Sequence, residues 1–584
     1  MSEAKPLPLQ TWARDLAKRW NSEAYSVFLL SGNIFDIFAI QDEAGISYVP
    51  LKTFLCKRLF PDRKLLMFYD IGDGLTFGTK AMQQKFAEWL DVYASLEGTS
   101  FTTKGVPREF SKLAPVLRRF FLQNDKEGAN ATLIIDFPEK IIPASEDAGS
   151  TYDERTALVA LLKWATSQEF RQHDVGVILV TETPSKIQSD LLQNPHVAQI
   201  KIELPDAAER FRYLGSATYQ KLIDGNLPLP GSISSDDLAL RSSGLNIIRL
   251  QNLVAEAVRN AQPITQDYVS KGKKLLIEEF CQGLVKFKDP KPGLSLDAVA
   301  THTAAKKKLR ELAWLFKNNK SDVIEKGVLL PGRVGVGKSF LVDAFAGECG
   351  LPVMEMGDFR SKWVGDTERQ QTRILMTIQA LGPVIVVVDE ADAVFGSRSG
   401  GGEDNGVSGR VFAAFAAHIG DSSLRGRELW IAMTSRPDLL TIDLKRQGRL
   451  GLCIPLFPAQ NAQDVADLFN TVARFKNIQI SKEVTAKLQD MGSKPLTGSD
   501  ADSIMTRAKE IAVLNQRDND LQVGDIAEAV SSFIDALDPD LLRLQELAAV
   551  LACSDSRYLP EIYKNANRAE LTQEFNTIKR SIYR

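Results

Sequence analysis

Gly332-Arg333-Val334-Gly335-Val336-Gly337-Lys338-Ser339 reads G-x-x-x-x-G-K-S. An apolar run, Gly327-Val328-Leu329-Leu330, precedes it, and a helical pattern from Phe340 to Glu348 follows. That order leaves a chain few options. The glycines let the backbone curl until successive N–H groups point inward. The next helix adds the positive end of its dipole, so the loop can cradle phosphates at the edge of a parallel sheet. Lys338 is placed to reach the outer phosphates and Ser339 to offer a hydroxyl to Mg²⁺. A glycine-rich turn with a chance lysine would not need a strand before it and a helix after it.

About fifty residues on, Pro383-Val384-Ile385-Val386-Val387-Val388 is the continuous β-branched run of a strand buried on both faces. It ends in Asp389-Glu390. A carboxylate at such a strand tip can hold Mg²⁺ through its water shell, and the next can orient and deprotonate water. A third run, Arg427 to Met433, ends in Thr434-Ser435-Arg436-Pro437-Asp438, and Asp443-Leu444-Lys445-Arg446-Gln447-Gly448-Arg449 follows. With these motifs in this order, residues 290 to 530 resemble the AAA family of ATPases.

The resemblance implies an ATP site made by Gly332, Gly335, Val336, Gly337, Lys338, Ser339 and Phe340. It implies Mg²⁺ at Ser339 and Asp389, and Glu390 polarising water. Ser435 stands where the family's polar sensor is usually asparagine, and a serine reaches less far. Arg446 and Arg449 match arginine fingers that act on a neighbouring subunit's nucleotide, where a guanidinium neutralises growing charge. Asp297-Ala298-Val299-Ala300-Thr301-His302 resembles the segment beside the adenine, with Thr301 in place of the usual glycine. Thr497-Gly498-Ser499-Asp500 resembles the start of a lid helix whose Gly498 and Ser499 backbone approaches adenosine. Lys362-Trp363-Val364, before Gly365, resembles the pore loop that grips an extended polypeptide. A tryptophan anchoring a helix to the core is the other reading of Trp363. The run Gly400 to Gly406 fits a second pore loop or an ordinary surface loop.

Composition narrows the class. The 584 residues are 44% hydrophobic and 25% charged, enough for several buried cores. The net charge of −3 implies no general affinity for nucleic acid. Cys56, Cys281, Cys349, Cys453 and Cys553 are scattered without a C-x-x-C pair, which suits a reducing cytoplasm. No signal-peptide core opens the chain, and no apolar run approaches the roughly 20 residues that span a bilayer.

The first half repeats the second without its chemistry. Asp389 lies 253 residues after Asp136, which ends the apolar run Ala131 to Ile135. At the same spacing Thr434 falls on Thr181, Pro437 on Pro184, Asp443 on Asp190 and Pro458 on Pro205. Val27-Phe28-Leu29-Leu30-Ser31-Gly32 echoes the strand before the phosphate loop, but Asn33-Ile34-Phe35-Asp36 follows, with no lysine. Glu390 falls on Phe137, Arg446 on Gln193 and Arg449 on His196. A silent module ahead of an active one is similar to an arrangement in cyanobacterial and plastid AAA proteins.

The expected fold is α/β, with two such modules of parallel sheet flanked by helices, each with a helical lid. The boundaries read as a degenerate core over 1–205 and its lid over 206–275. An active core over 276–458, its lid over 459–538 and a helical tail over 539–584 follow. Lys288 to Gly293 reads as a linker. The expected function is ATP-driven remodelling or threading of a protein partner by a homo-oligomeric ring, most simply a hexamer. The alternative is an ATP-gated assembly or scaffold protein whose first module binds a partner. Neither nucleic acid nor membrane is expected as a partner.

Overall fold

The computed structural model describes all residues except 1–6, 44, 98–105, 124–129, 145–149, 225–228, 292, 319, 358–366, 396–404, 479, 481–482, 485–487, 489–494, 518–520, 535–537 and 584. It divides into two compact units. One is Met1–Ile277 with Glu368–Ala380, and the other is Glu278–Thr367 with Leu381–Arg584.

The first unit is built on β1 (Val27–Gly32), β4 (Leu65–Asp70), β5 (Gly74–Phe77), β6 (Ala131–Asp136), β7 (Val175–Thr181) and β8 (Val197–Ile202); β2 (Ile37–Asp42) and β3 (Gly45–Pro50) form a separate hairpin. The sheet order is β5-β4-β6-β7-β1-β8, parallel except for β5 at the edge. Its strands alternate between two apolar cores. Leu29, Met67, Leu133 and Leu179 face one, and Phe28, Phe68, Ile134 and Ile178 the other. Burial on both faces is why these strands read as unbroken apolar runs.

The second unit contains β9 (Val285–Lys288), β10 (Gly327–Pro331), β11 (Val353–Met356), β12 (Val384–Val388), β13 (Glu428–Thr434) and β14 (Leu452–Cys453). Their order is β14-β10-β13-β12-β11-β9, again with one antiparallel edge strand, β9. Read from the opposite edge, the two sheets match strand for strand. β1 corresponds to β10, β6 to β12 and β7 to β13. Only the antiparallel edge differs in origin, since β5 follows its neighbour in the chain and β9 precedes it.

The chain departs from the sequence reading at the expected linker. Lys288 is not the start of a linker, because Val285–Lys288 pairs with β11 and Lys288 bonds Glu355. Beyond it, Lys291 reaches Asp343 of helix Lys338–Cys349 at 2.9 Å. Between β6 and β7 lie two helices, Tyr152–Thr166 and Gln168–Gln172, because Ser167 leaves the helical conformation and caps the second. Helices Ser235–Arg241 and Ile247–Arg259 follow in the first unit, the second capped by Asn246.

Helices Pro539–Ala552 and Arg568–Ile582, with short turns between, dock on the second unit's own sheet. Tyr563 stacks on Phe457 at 5.9 Å, and Tyr558 joins the core beneath β10. Ser554 exchanges hydrogen bonds with both backbone groups of Cys453.

Candidate functional site

The phosphate loop leaves β10 and enters helix Lys338–Cys349. Gly337 caps that helix at φ +88°, a left-handed conformation that costs glycine nothing. Gly335, at φ +84°, is needed for space as well. A Cβ there would lie 2.8 Å from the Thr497 hydroxyl. Lys338 turns back over the loop and donates to the carbonyls of Gly332 (2.8 Å) and Arg333 (3.1 Å). Burial lowers its pKa from the ordinary lysine value, against the pull of Asp389 and Asp392. A cation held only by neutral carbonyls and partly stripped of water is poised to exchange them for an anion.

Ser339 places its hydroxyl 3.4 Å from the Asp389 carboxylate. Helix and strand thus bring two oxygen donors of the kind Mg²⁺ takes to one point beside the loop. Among the described residues no cluster of three or more histidines, cysteines or carboxylates could hold a metal alone. A metal here would therefore depend on phosphate and water oxygens for the rest of its shell.

Glu390 sits at φ +47°, unusual for any residue but glycine. Its N–H donates to Asp389 (2.8 Å). Next to it, Thr434 donates to Asp392 (2.5 Å) and accepts from the Arg436 N–H (2.8 Å), which fixes the chain on either side of Ser435. Gly332 N–H donates to the Thr434 carbonyl at 3.1 Å, tying the loop to that segment.

The lid closes over the loop. Thr497 caps helix Gly498–Leu514, the Ser499 N–H donates to the Gly335 carbonyl (3.2 Å), and Gly498 comes against the same oxygen. Phe340 meets Phe475 of the lid edge-on, with centroids 5.3 Å apart. Gly332, Gly335, Val336, Gly337, Lys338, Ser339, Phe340, Asp389, Glu390, Ser435, Gly498 and Ser499 therefore line one region.

Other sequence-assigned residues lie elsewhere. Asp297 pairs with Arg310, and its side chain is 83% exposed, so its carboxylate does not reach the loop. The group from that segment that does is His302, whose Nε2 donates to the Val336 carbonyl (2.9 Å). His302 was within the recognised segment but carried no motif of its own. Arg446 and Arg449 both turn to Asp443; Arg446 is 3.4 Å from it and largely exposed. Lys362, Trp363 and Val364 lie outside the described residues, as do Gly400 to Asp404 of the glycine-rich run.

The first unit keeps the frame and loses the groups. Phe137, at the place of Glu390, has φ +54°. Thr181 donates to Glu139 (2.8 Å) and accepts from the Thr183 N–H (3.3 Å), repeating Thr434, Asp392 and Arg436 contact for contact. Where the phosphate loop would bend, Asp36 is buried and accepts from Asn33 (2.8 Å) and from the N–H groups of Ile247 (3.1 Å) and Ile248 (3.0 Å). A carboxylate of the chain thus occupies the N-terminus of the lid helix, a position that otherwise attracts an anion. Burial raises its pKa, and these hydrogen bonds oppose the rise.

Comparison with known proteins follows the same division. Residues 4–203 match the AAA+ chaperone N-terminal Rossmann-like domain, and residues 208–282 the AAA+ chaperone second helical domain. Residues 328–456 match the ATPase family associated with various cellular activities (AAA). Protein SAV of Sulfolobus acidocaldarius is 24% identical over 480 residues, 77% of this chain and 59% of its own. The peroxisomal ATPase PEX6 of Cricetulus griseus is 25% identical over 402 residues, 64% of this chain and 40% of its own. That of Rattus norvegicus is 25% identical over 401 residues, with the same shares. The chain thus spans between two fifths and three fifths of the length of these relatives.

Proposed function

The chain belongs to the AAA family of ATPases, with AAA+ chaperone domains ahead of its AAA domain, and from that premise we propose that the second unit hydrolyses Mg-ATP to do work on a protein partner while the first unit is catalytically silent. The observation that carries this is the asymmetry of two matching sheets. One frames Lys338, Ser339, Asp389 and Glu390, and the other holds Asp36 and Phe137 in their place.

Each residue has a task in that scheme. Lys338 gives up two carbonyls to pair with the β- and γ-phosphates. Ser339 and Asp389 would hold Mg²⁺, which would neutralise phosphate charge that otherwise repels the nucleophile. Glu390, turned outward by its left-handed backbone, takes the proton of the attacking water. Ser435 orients that water or the γ-phosphate. Asp443 steadies Arg446 and Arg449 until a neighbouring copy presents its nucleotide, so the working form is a homo-oligomeric ring, most simply a hexamer. Trp363 and its neighbours grip an extended polypeptide. A cytoplasmic setting suits five cysteines that are all free thiols. Among the described residues no helix is long and apolar enough to cross a membrane.

The test is Glu390→Gln. The amide cannot accept a proton, so steady-state ATP hydrolysis is expected to fall at least about 100-fold while ATP binding persists. Turnover near the wild-type rate would sink the assignment.

A further inference from the structure

Three consecutive residues of the phosphate loop are held by three different parts of the chain. The Gly335 carbonyl accepts from Ser499 of the lid, and the Val336 carbonyl from His302. The Val334 N–H donates to Oε1 of Gln545, 3.2 Å away, on helix Pro539–Ala552. The first two come from segments that line the site. The third comes from a helix more than 200 residues along the chain.

Gln545 is conspicuous where it stands. The inner face of its helix is otherwise apolar, with Leu542, Leu544, Leu547, Ala548 and Val550 buried, and Gln545 is only 5% exposed among them. A buried amide is costly unless paired, and its carbonyl oxygen is paired with the loop. Val334 is 51% exposed, and its N–H is anchored by the hydrogen bond to the Gln545 carbonyl oxygen.

The next helix touches the other side of the site. Lys579 of helix Arg568–Ile582 bonds Asp438 at 3.0 Å, and Tyr583, the residue that ends that helix, bonds Arg436, both just beyond Ser435. The two helices therefore hold the loops that follow β10 and β13, which are neighbours in the sheet.

We propose that Gln545 is a positioning residue for the phosphate loop, so that docking of helices 539–552 and 568–582 sets the nucleotide affinity of the second unit. Resting on the reading that this loop binds ATP, it makes the tail a regulatory element: a partner that lifts it weakens ATP binding. The coupling is reciprocal by necessity, so bound nucleotide strengthens tail docking.

Hydrogen exchange on the full-length protein, with and without a saturating non-hydrolysable ATP analogue and Mg²⁺, tests this without a variant. Slower exchange both in the loop, residues 332–338, and in helix 539–552 is the expected result. A slowed loop with an unchanged helix would overturn the coupling and leave the ATP site intact. If the loop itself is not slowed, ATP binding and the coupling fall together.

Gln545→Met keeps the length and loses the acceptor. It is expected to raise the Kd for the analogue about threefold to tenfold, the worth of one hydrogen bond, with KM rising more than kcat falls. Gln545→Glu keeps an acceptor and is expected to retain slow exchange in the nucleotide-free loop. A lower melting temperature of Gln545→Met with unchanged affinity would make Gln545 a packing residue and overturn the proposal.

Discussion

Glu390 and Phe137 share a left-handed backbone, at φ +47° and +54°. Such a conformation costs a residue other than glycine about 1–3 kcal/mol and persists only where its surroundings impose it. At Glu390 the residue so held is an exposed carboxylate next to Asp389. At Phe137 the same backbone carries an aromatic ring that pairs with Phe35, with centroids 6.4 Å apart. Asp36 satisfies the first N–H groups of helix Ile247–Arg259 from within the chain. Asp36→Ala is therefore expected to orphan the N–H groups of Ile247 and Ile248 and to loosen that helix end by about 2 kcal/mol. Faster exchange at residues 247–250 would register it, and unchanged exchange there would contradict the role given to Asp36. Sequence made the different residues of the first half legible, because a constant spacing aligns Phe137, Gln193 and His196 with Glu390, Arg446 and Arg449. It gave no sign that Asp36 reaches helix 247–259, since that contact spans more than 200 residues.

At the scale of elements, the central strands were readable because each is buried on both faces and so is apolar without interruption. Edge strands were not. Val285–Lys288 alternates Val-Lys-Phe-Lys, is four residues long and runs into prolines, so its composition is that of a loop. Helix ends were blurred for a similar reason, as at Ser167, where one serine both ends a helix and caps the next. The tail was legible as helix but not as a partner of the site, because Gln545 lies in an ordinary amphipathic pattern. Trp363 is the element-scale question that sequence raises and geometry leaves to experiment. If it grips substrate on a moving loop, Trp363→Ala is expected to keep the melting temperature and basal ATPase within about twofold while abolishing stimulation by a protein partner. A core anchor would instead lose roughly 3–5 kcal/mol on truncation and melt far earlier. An unchanged melt with full partner activity would favour the scaffold alternative.

For the whole molecule, the proposed mechanism gives the two matching sheets opposite fates and draws Arg446 and Arg449 from a neighbouring copy. Arg449→Ala and Lys338→Ala proteins are each expected to be inactive alone. Mixed, they are expected to recover part of the ATPase, because one kind of interface joins an intact loop to intact arginines. No recovery in verified mixed assemblies would remove the fingers from the mechanism. The central claim, one working nucleotide site in a chain with two matching sheets, is tested most directly by counting. Full-length Glu390→Gln protein, saturated with Mg-ATP and measured by equilibrium dialysis, is expected to retain one ATP per chain, and none once Lys338→Ala is added. Two per chain, or one that survives Lys338→Ala, would contradict it.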